Sequence, residues 1–570
     1  MREISPEWNC GAGHPGGTVL GTAGGWSGVR VGRAADWRLV STQLLVGGRI
    51  YSSSNPDATA MAVSDGIVVW VGQDKPGRAL HPDAEVVDLD GAFVAPAFVD
   101  PHVHITALGL QLTGLDLSRA ASLAECLELV REFARTRPQG AILGDGWEET
   151  RWPERRAPTS AEIDAAAPGR LVYLTRVDAH SAVVSSALLD AVPGVTEAAG
   201  FTRGEPLREN AHHRVRAAVL DGLDRAQRDR ARRAALDHAA AHGIVAVHEC
   251  AGPEISGHAD VAELLEFSHG VEVRVYWGEA VRTADEARTL VKELGVHALG
   301  GDLFVDGSLG SHTARLRTPY ADRDTRGTAF LDADAVAAHL RACTEAGIQA
   351  GFHVIGDAAM DIVVDGFTRA AAELGGPAVA TRGHRVEHAE MVDAEQIAQL
   401  AAWGVIASVQ PGFDAAWGGV DGMYAARLGA DRAATLNPFA AMAAAGISLA
   451  IGSDAPVTPL HPWAAVRAAA HHRTPGHGIS PRAAFTAATR GAWRAGGVRD
   501  GVSGTLVPGA PASYAVWAAD DLVVAASADS VQRWSTDPRS RVPGLPPLDP
   551  TAPLPRCLRT VHRGVTIHGD

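Results

Sequence analysis

The 570-residue sequence predicts an α/β protein: eight β-α units in a ring, a (β/α)8 TIM-like barrel, flanked by a composite β-sandwich formed by both chain ends. Three observations carry that prediction. Apolar runs of strand length alternate with helical patterns through the middle of the chain, short β-prone runs occupy both flanks, and histidines and a carboxylate fall where several apolar runs end.

Along the chain, residues 1–40 are glycine-rich without sustained periodicity and are read as a flexible N-terminal extension. The runs QLLVG (43–47) and GIVVWVG (66–72) follow, separated by turn residues, and GTLVPG (504–509), SYAVW (513–517) and TVHRGVTI (560–567) repeat the pattern near the C-terminus. Residues 41–91 and 500–570 are therefore assigned to one sandwich. Residues 92–499 hold eight strand candidates, at 92–99, 244–249, 271–277, 302–306, 348–353, 385–388, 404–409 and 447–452. Helical patterns at 226–242, 332–346, 358–374 and 393–402 lie between them, and Gly243, Gly347 and Gly404 mark chain reversals at helix ends. The connection over about 107–225 is far too long for a βα loop and is assigned to an inserted lid subdomain. It leaves from the C-terminal end of a ring strand, which places Trp147, Trp152, Arg176, Asp178 and His180 as lid and pocket side chains.

Composition narrows the function classes. Lys and Arg number 51 against 66 Asp and Glu, a net charge of -15 that argues against binding a phosphate backbone, so no nucleic-acid partner is expected. Five scattered cysteines with no Cys-x-x-Cys pair suggest neither a disulfide framework nor a thiolate zinc site, and fit a reducing cytoplasm. No apolar run approaches the roughly 18 residues of a membrane span, so no membrane association is expected.

Four constellations carry chemistry. In Asp100-Pro101-His102-Val103-His104 the period of an extended chain puts Asp100, His102 and His104 on one side, so two imidazoles converge as a nitrogen-ligated metal needs. GFHVIGD (351–357) ends a strand in His353 before a glycine turn, and HRVEHA (384–389) offers His384 or His388, the latter closer to the strand end. LAIGSDAP (449–456) delivers Asp454 into a proline-stiffened loop, where a carboxylate can bind metal and take a proton from water. Singly, each histidine reads as a hydrogen-bonded structural residue and Asp454 as a helix cap. Jointly they place ligands at consecutive strand ends, as a barrel-mouth metal site requires.

These residues resemble the amidohydrolase superfamily, in particular its third sequence branch, which includes YtcJ-like proteins and N-substituted formamide deformylases. The likeness spans about residues 41–520 and rests on VAPAFVDPHVH (94–104), GDGW (144–147), LTRVDAH (174–180), FVDGSLG (304–310), Thr313-Ala314, Pro319-Tyr320, HVIGD (353–357), RVEH (385–388), SVQP (408–411) and GSDAP (452–456). The resemblance implies a metal-dependent barrel with His102, His104, His353, His388 and Asp454 as ligands, Asp454 also serving as the catalytic acid/base. It also implies that Trp147, Arg176 and His180 lie near substrate. Family members often carry a lysine whose carbamylated form bridges two metals where this chain has Asp302. At a rise of roughly 3.3 Å per residue Asp302 is expected to fall short of the strand end, which favours one ion over two.

The resulting expectation is a hydrolase that cleaves a non-peptide C–N bond in a small-molecule N-acyl or N-formyl amide, using metal-activated water. Zinc is the default divalent metal, and the same ligands accept Fe, Mn, Co or Ni. Cyclic amide hydrolysis or deamination on the same scaffold, or a non-catalytic metal-binding regulatory protein, are the alternatives, and a homodimer is left open.

Overall fold

The computed structural model describes residues 42–523 and 543–569. The extension expected over residues 1–40 lies outside them, as does 524–542 of the segment assigned to the sandwich.

At the centre are two four-stranded sheets with only parallel pairings. One contains, in spatial order, Ala298–Leu299, Glu272–Trp277, Ile244–Ala251 and Phe98–Val103; the other contains Gly351–Val354, Arg385–His388, Ile406–Val409 and Ser448–Ile451. Every residue of Phe98–Val103 and Ile244–Ala251 is buried, as parallel strands covered on both faces require. Isolated bridges join the sheets at both edges: Leu299 with Ala350 and Phe304 with His353 on one side, Val103 with Ala455 on the other. At the second seam the His104 N–H donates to the Ala455 carbonyl at 2.9 Å and the Asp454 N–H to the His102 carbonyl at 2.8 Å.

Two expected strands form differently. The run 92–99 divides: Phe93–Pro96 pairs with the C-terminal Tyr514–Ala518 strand, and the chain then changes sheet so that Phe98–Val103 enters the centre. His102 thus lies within a strand. The run 302–306 forms only the single bridge at Phe304, because Gly301 takes a left-handed φ of 70° after the short Ala298–Leu299 strand.

Helices flank the sheets close to where periodicity places them, at Arg225–Ala241, Ala333–Ala346, Asp357–Leu374 and Ala394–Ala402. Asp224, Asp332 and Asp393 cap three of them, each accepting a backbone N–H three residues on. Ile105–Thr113 packs on Arg225–Ala241 so closely that a Cβ on Gly109 would lie 1.8 Å from the Ala231 carbonyl oxygen.

On one flank, strands Gln43–Val46, Ala60–Ser64, Ile67–Gly72 and Glu85–Asp88 form one sheet, and Arg49–Ile50, Phe93–Pro96, Tyr514–Ala518, Arg556–His562 and Val565–His568 form another. Leu45, Met61 and Val68 share one buried cluster with Leu506, Val516 and Val561, so both chain ends contribute to it. The long insertion has its own five-stranded sheet, Leu115–Asp116, Ile142–Trp147, Val172–Arg176, Ser181–Val184 and Leu207–Arg208. Among the described residues no helix is long and apolar enough to cross a membrane.

Candidate metal centre

His102, His353 and His388 come from the strands Phe98–Val103, Gly351–Val354 and Arg385–His388. His104 is the N-cap of the helix Ile105–Thr113, and Asp454 follows the strand Ser448–Ile451. Two of them sit in left-handed backbone, His388 at φ 68° and Asp454 at φ 55°. Neither is glycine, and such strain persists where the surroundings enforce it, commonly at functional sites.

The donor spacing tests whether an ion fits. Nε2 of His102 lies 3.3 Å from an Asp302 oxygen and 3.5 Å from Asp454 Oδ1; Nε2 of His104 lies 3.3 Å from the other Asp302 oxygen and 3.1 Å from the same Asp454 oxygen. Donors about 2.0–2.1 Å from a tetrahedral zinc ion would be about 3.3–3.4 Å apart. His102 Nε2, Asp302 Oδ1, His353 Nδ1, His388 Nε2 and Asp454 Oδ1 are all buried without a hydrogen-bond partner. Such convergence of orphaned polar atoms would be costly unless a cation satisfied them. A second triad, Asp302 with His353 and His388, also keeps its donors within 4.8 Å, although His388 Nε2 is 4.0 Å from Asp302.

Asp302 therefore does not fall short of the site. The rise of a regular strand does not apply to it, because the turn at Gly300 and Gly301 carries the chain inward until a Cβ on Gly301 would lie 2.9 Å from Cys250 Sγ. His384, the other candidate in its motif, stays outside the cluster: its Nδ1 accepts the Ala350 N–H at 2.9 Å and its Nε2 is 3.0 Å from Thr344 Oγ1.

The two carboxylates of the cluster draw positive charge towards it. Burial raises the Asp302 pKa, but His102 and His104 outweigh it and hold the carboxyl well below the usual range. Burial opposes a charge on His102, yet Cys250, Asp454 and Asp302 raise its pKa well above that of free imidazole, and Asp454 and Asp302 likewise raise His104. Burial, chiefly, lowers His353 and His388, which favours the neutral form a ligand needs.

A second layer orients the imidazoles. His102 Nδ1 is 3.0 Å from Glu387, whose carboxylate accepts from Arg385 Nε at 2.8 Å and Nη2 at 2.7 Å. His388 Nδ1 is 2.8 Å from Gln410 Oε1. Asp100 accepts the N–H groups of His102 and Ser453, each at 3.1 Å from Oδ1, tying the first strand to the loop that carries Asp454. Asp306 accepts those of Ile355 and Gly356, at 3.0 and 2.8 Å, and fixes the chain after His353. Glu387, Gln410 and Asp306 lie inside the quoted motifs, but only the fold shows which ring Glu387 and Gln410 hold and which backbone groups Asp306 fixes.

A cleft opens on the cluster, lined by His104, Asp302, His353 and Asp454 and by residues of the insertion. His180 lines it, and burial lowers its pKa to about 4, so the ring is neutral. Trp147 and Arg176, expected near substrate, do not line it. The Trp147 indole packs into the insertion's own core and donates Nε1–H to the Leu174 carbonyl at 2.9 Å. The buried Arg176 pairs with Glu149 and Asp178, each at 2.9 Å, so it supports the wall from behind. Asp145, from the GDGW motif, lines the cleft, as do Tyr173 and Arg216, which carried no sequence signal beyond their place in the insertion.

The profile described as "Amidohydrolase family" matches residues 85–568. The chain is 28% identical to "Putative amidohydrolase YtcJ" of Bacillus subtilis (strain 168), over 74% of this chain and 82% of that one. It is 27% identical to "N-substituted formamide deformylase" of Arthrobacter pascens, over 77% of this chain and 85% of that one. Among solved structures, an uncharacterized metal-dependent hydrolase from Pyrococcus furiosus superposes with a TM-score of 0.63 at 25% identity, covering 83% of this chain and 98% of that one.

Proposed function

This chain belongs to the amidohydrolase family, and from that premise we propose that it hydrolyses a non-peptide C–N bond, the N-acyl or N-formyl amide of a small molecule. The architecture we infer is a (β/α)8 barrel with a sandwich from both chain ends, supported by the bridges at both seams of the central sheets and by the shared buried cluster. The observation that carries the functional reading is the set of four donor spacings of 3.1–3.5 Å among His102, His104, Asp302 and Asp454. Those residues would hold one divalent ion, zinc by default, with His353 and His388 facing it. A second reading, two ions sharing Asp302, is favoured only by the looser triad with His353 and His388.

An ion there would lower the pKa of water and polarise a carbonyl oxygen. With Oδ1 facing the ion, the Asp454 carboxylate orients the attacking water through its other oxygen, takes its proton and returns it to the departing nitrogen, so the products are a carboxylic acid, formate for a formamide, and an amine. His180, neutral at the cleft wall, donates an N–H to the oxygen that becomes negative. Arg385 and Glu387 keep His102 Nε2 turned inward throughout. Scattered cysteines, free where described, support a cytoplasmic setting.

The test is elemental analysis of the purified protein together with a screen of N-acyl and N-formyl amines. Metal near one ion per chain with release of amine is the expected result. Metal-loaded protein that hydrolyses nothing in the panel overturns the proposal.

A further inference from the structure

The cleft wall carries a cationic side chain that has no counter-ion among the described residues. Arg216, on the helix Glu209–Asp221, lines the cleft, its Nε is buried without a partner, and its single hydrogen bond is a long one, 3.5 Å from Nη2 to His212 Nδ1. Among the described residues it makes no ion pair. The nearby acids are committed elsewhere. Asp145 accepts from Gln111 Nε2 at 2.8 Å and Thr175 Oγ1 at 2.6 Å, Asp178 is held by Arg176, Ser308 and Ser311, and Glu254 is bonded to His213.

His212 extends the donor set. Burial, with Arg216 beside it, lowers its pKa far below that of free imidazole, so the ring is neutral. Its Nδ1 faces the guanidinium as acceptor, which leaves Nε2–H to donate to Tyr173 Oη at 2.8 Å. The Tyr173 hydroxyl proton is then free to point into the cleft that Tyr173 also lines. Leu110, Leu115, Leu143, Leu220, Ile255 and Phe304 add apolar wall beside them.

We propose that Arg216 and Tyr173 bind a substrate carboxylate, so that the substrate is an N-acylated amino acid or close analogue with an apolar side chain. This rests on the hydrolase reading of the same cleft. A guanidinium fork matches a planar carboxylate, and one arginine with one hydroxyl suits a monoanion. A cleft with a mainly apolar surface selects by where its polar groups are placed, and lack of the anion would leave a half-buried charge unpaired.

The probes are N-acetylphenylalanine and its carboxamide, equal in shape and different in charge, titrated calorimetrically into metal-loaded wild type and the variants Arg216→Gln, Arg216→Lys and Tyr173→Phe. The expected result is at least tenfold tighter binding of the acid by wild type. Arg216→Gln abolishes that preference and leaves carboxamide affinity within twofold, Arg216→Lys restores part of it, and Tyr173→Phe reduces it severalfold. Equal binding of the two probes by wild type, binding of neither, or equal weakening of both by Arg216→Gln overturns the proposal. Acetate release in the same samples separates the two readings. An Arg216-dependent preference without hydrolysis sinks the hydrolase and keeps the carboxylate site, whereas hydrolysis indifferent to the carboxylate does the reverse.

Discussion

His102 Nδ1 and Glu387 Oε2 lie 3.0 Å apart in a fully buried pair that Arg385 completes through two further bonds. The carboxylate settles which nitrogen of His102 keeps its proton, and the other is left for the metal cluster. Burial would raise the Glu387 pKa, but Arg385 and His102 hold it at about 2, so it stays charged across the working pH range.

Glu387→Gln is therefore expected to lower metal affinity about 10–100-fold, measured by competition against a chromogenic chelator. Glu387→Ala is expected to cost about 3–5 kcal/mol of stability as well, because the buried Arg385 loses its counter-charge. Unchanged affinity in the glutamine variant would remove Glu387 from the account of the site.

Asp454→Asn removes the base and keeps an oxygen that can ligate. Hydrolysis should fall about 10²–10⁴-fold while metal content at saturating supply stays at the wild-type level. A variant with wild-type turnover would show that another group moves the proton.

Asp302→Ala is expected to drop the metal content of the purified protein well below that of wild type, since Asp302 supplies oxygens 3.3 Å from both His102 and His104. Wild type itself should carry about one ion per chain. Equal metal content in variant and wild type would return Asp302 to the role of bystander.

Burial depresses the His384 pKa to about 3 from its ordinary 6.5. As pH falls below 6.5 the unfolded chain takes up the proton first, so the contribution of this residue is complete above 6.5 and is lost on the way towards pH 3. The loss reaches about 2 kcal/mol at pH 5. Denaturant titrations of wild type and His384→Gln should thus show a stability gap that narrows by about that amount between pH 7.5 and 5, and a constant gap would contradict the assignment.

Trp147→Phe should leave KM within twofold and cost about 1–3 kcal/mol of stability, because the indole's one polar contact is internal to the insertion. A large rise in KM at unchanged stability would put the residue back at the substrate.

The strands that bear His353 and His388 were legible because apolar runs ending in histidine are local patterns, whereas the run before His102 divides between two sheets. Asp302 was misjudged for a reason of geometry, since a regular rise was assumed through a segment that Gly300 and Gly301 bend inward. Trp147 and Arg176 turn away from the cleft, which their motifs could not show, because a motif shared with a family does not say which face of a sheet a side chain takes. Arg216 was invisible: a lone arginine on a polar helix has no signature until the packing shows that nothing answers its charge.

The bond between Asp100 and the Ser453 N–H joins positions 353 apart in sequence, and it lies beside both His102 and Asp454. Closing so long a loop is entropically costly and slow, so contacts of this kind form late in folding. An incompletely folded chain would therefore hold His102, His104 and Asp302 without Asp454, and the full donor set is assembled only once the strand Ser448–Ile451 has come to lie beside Phe98–Val103.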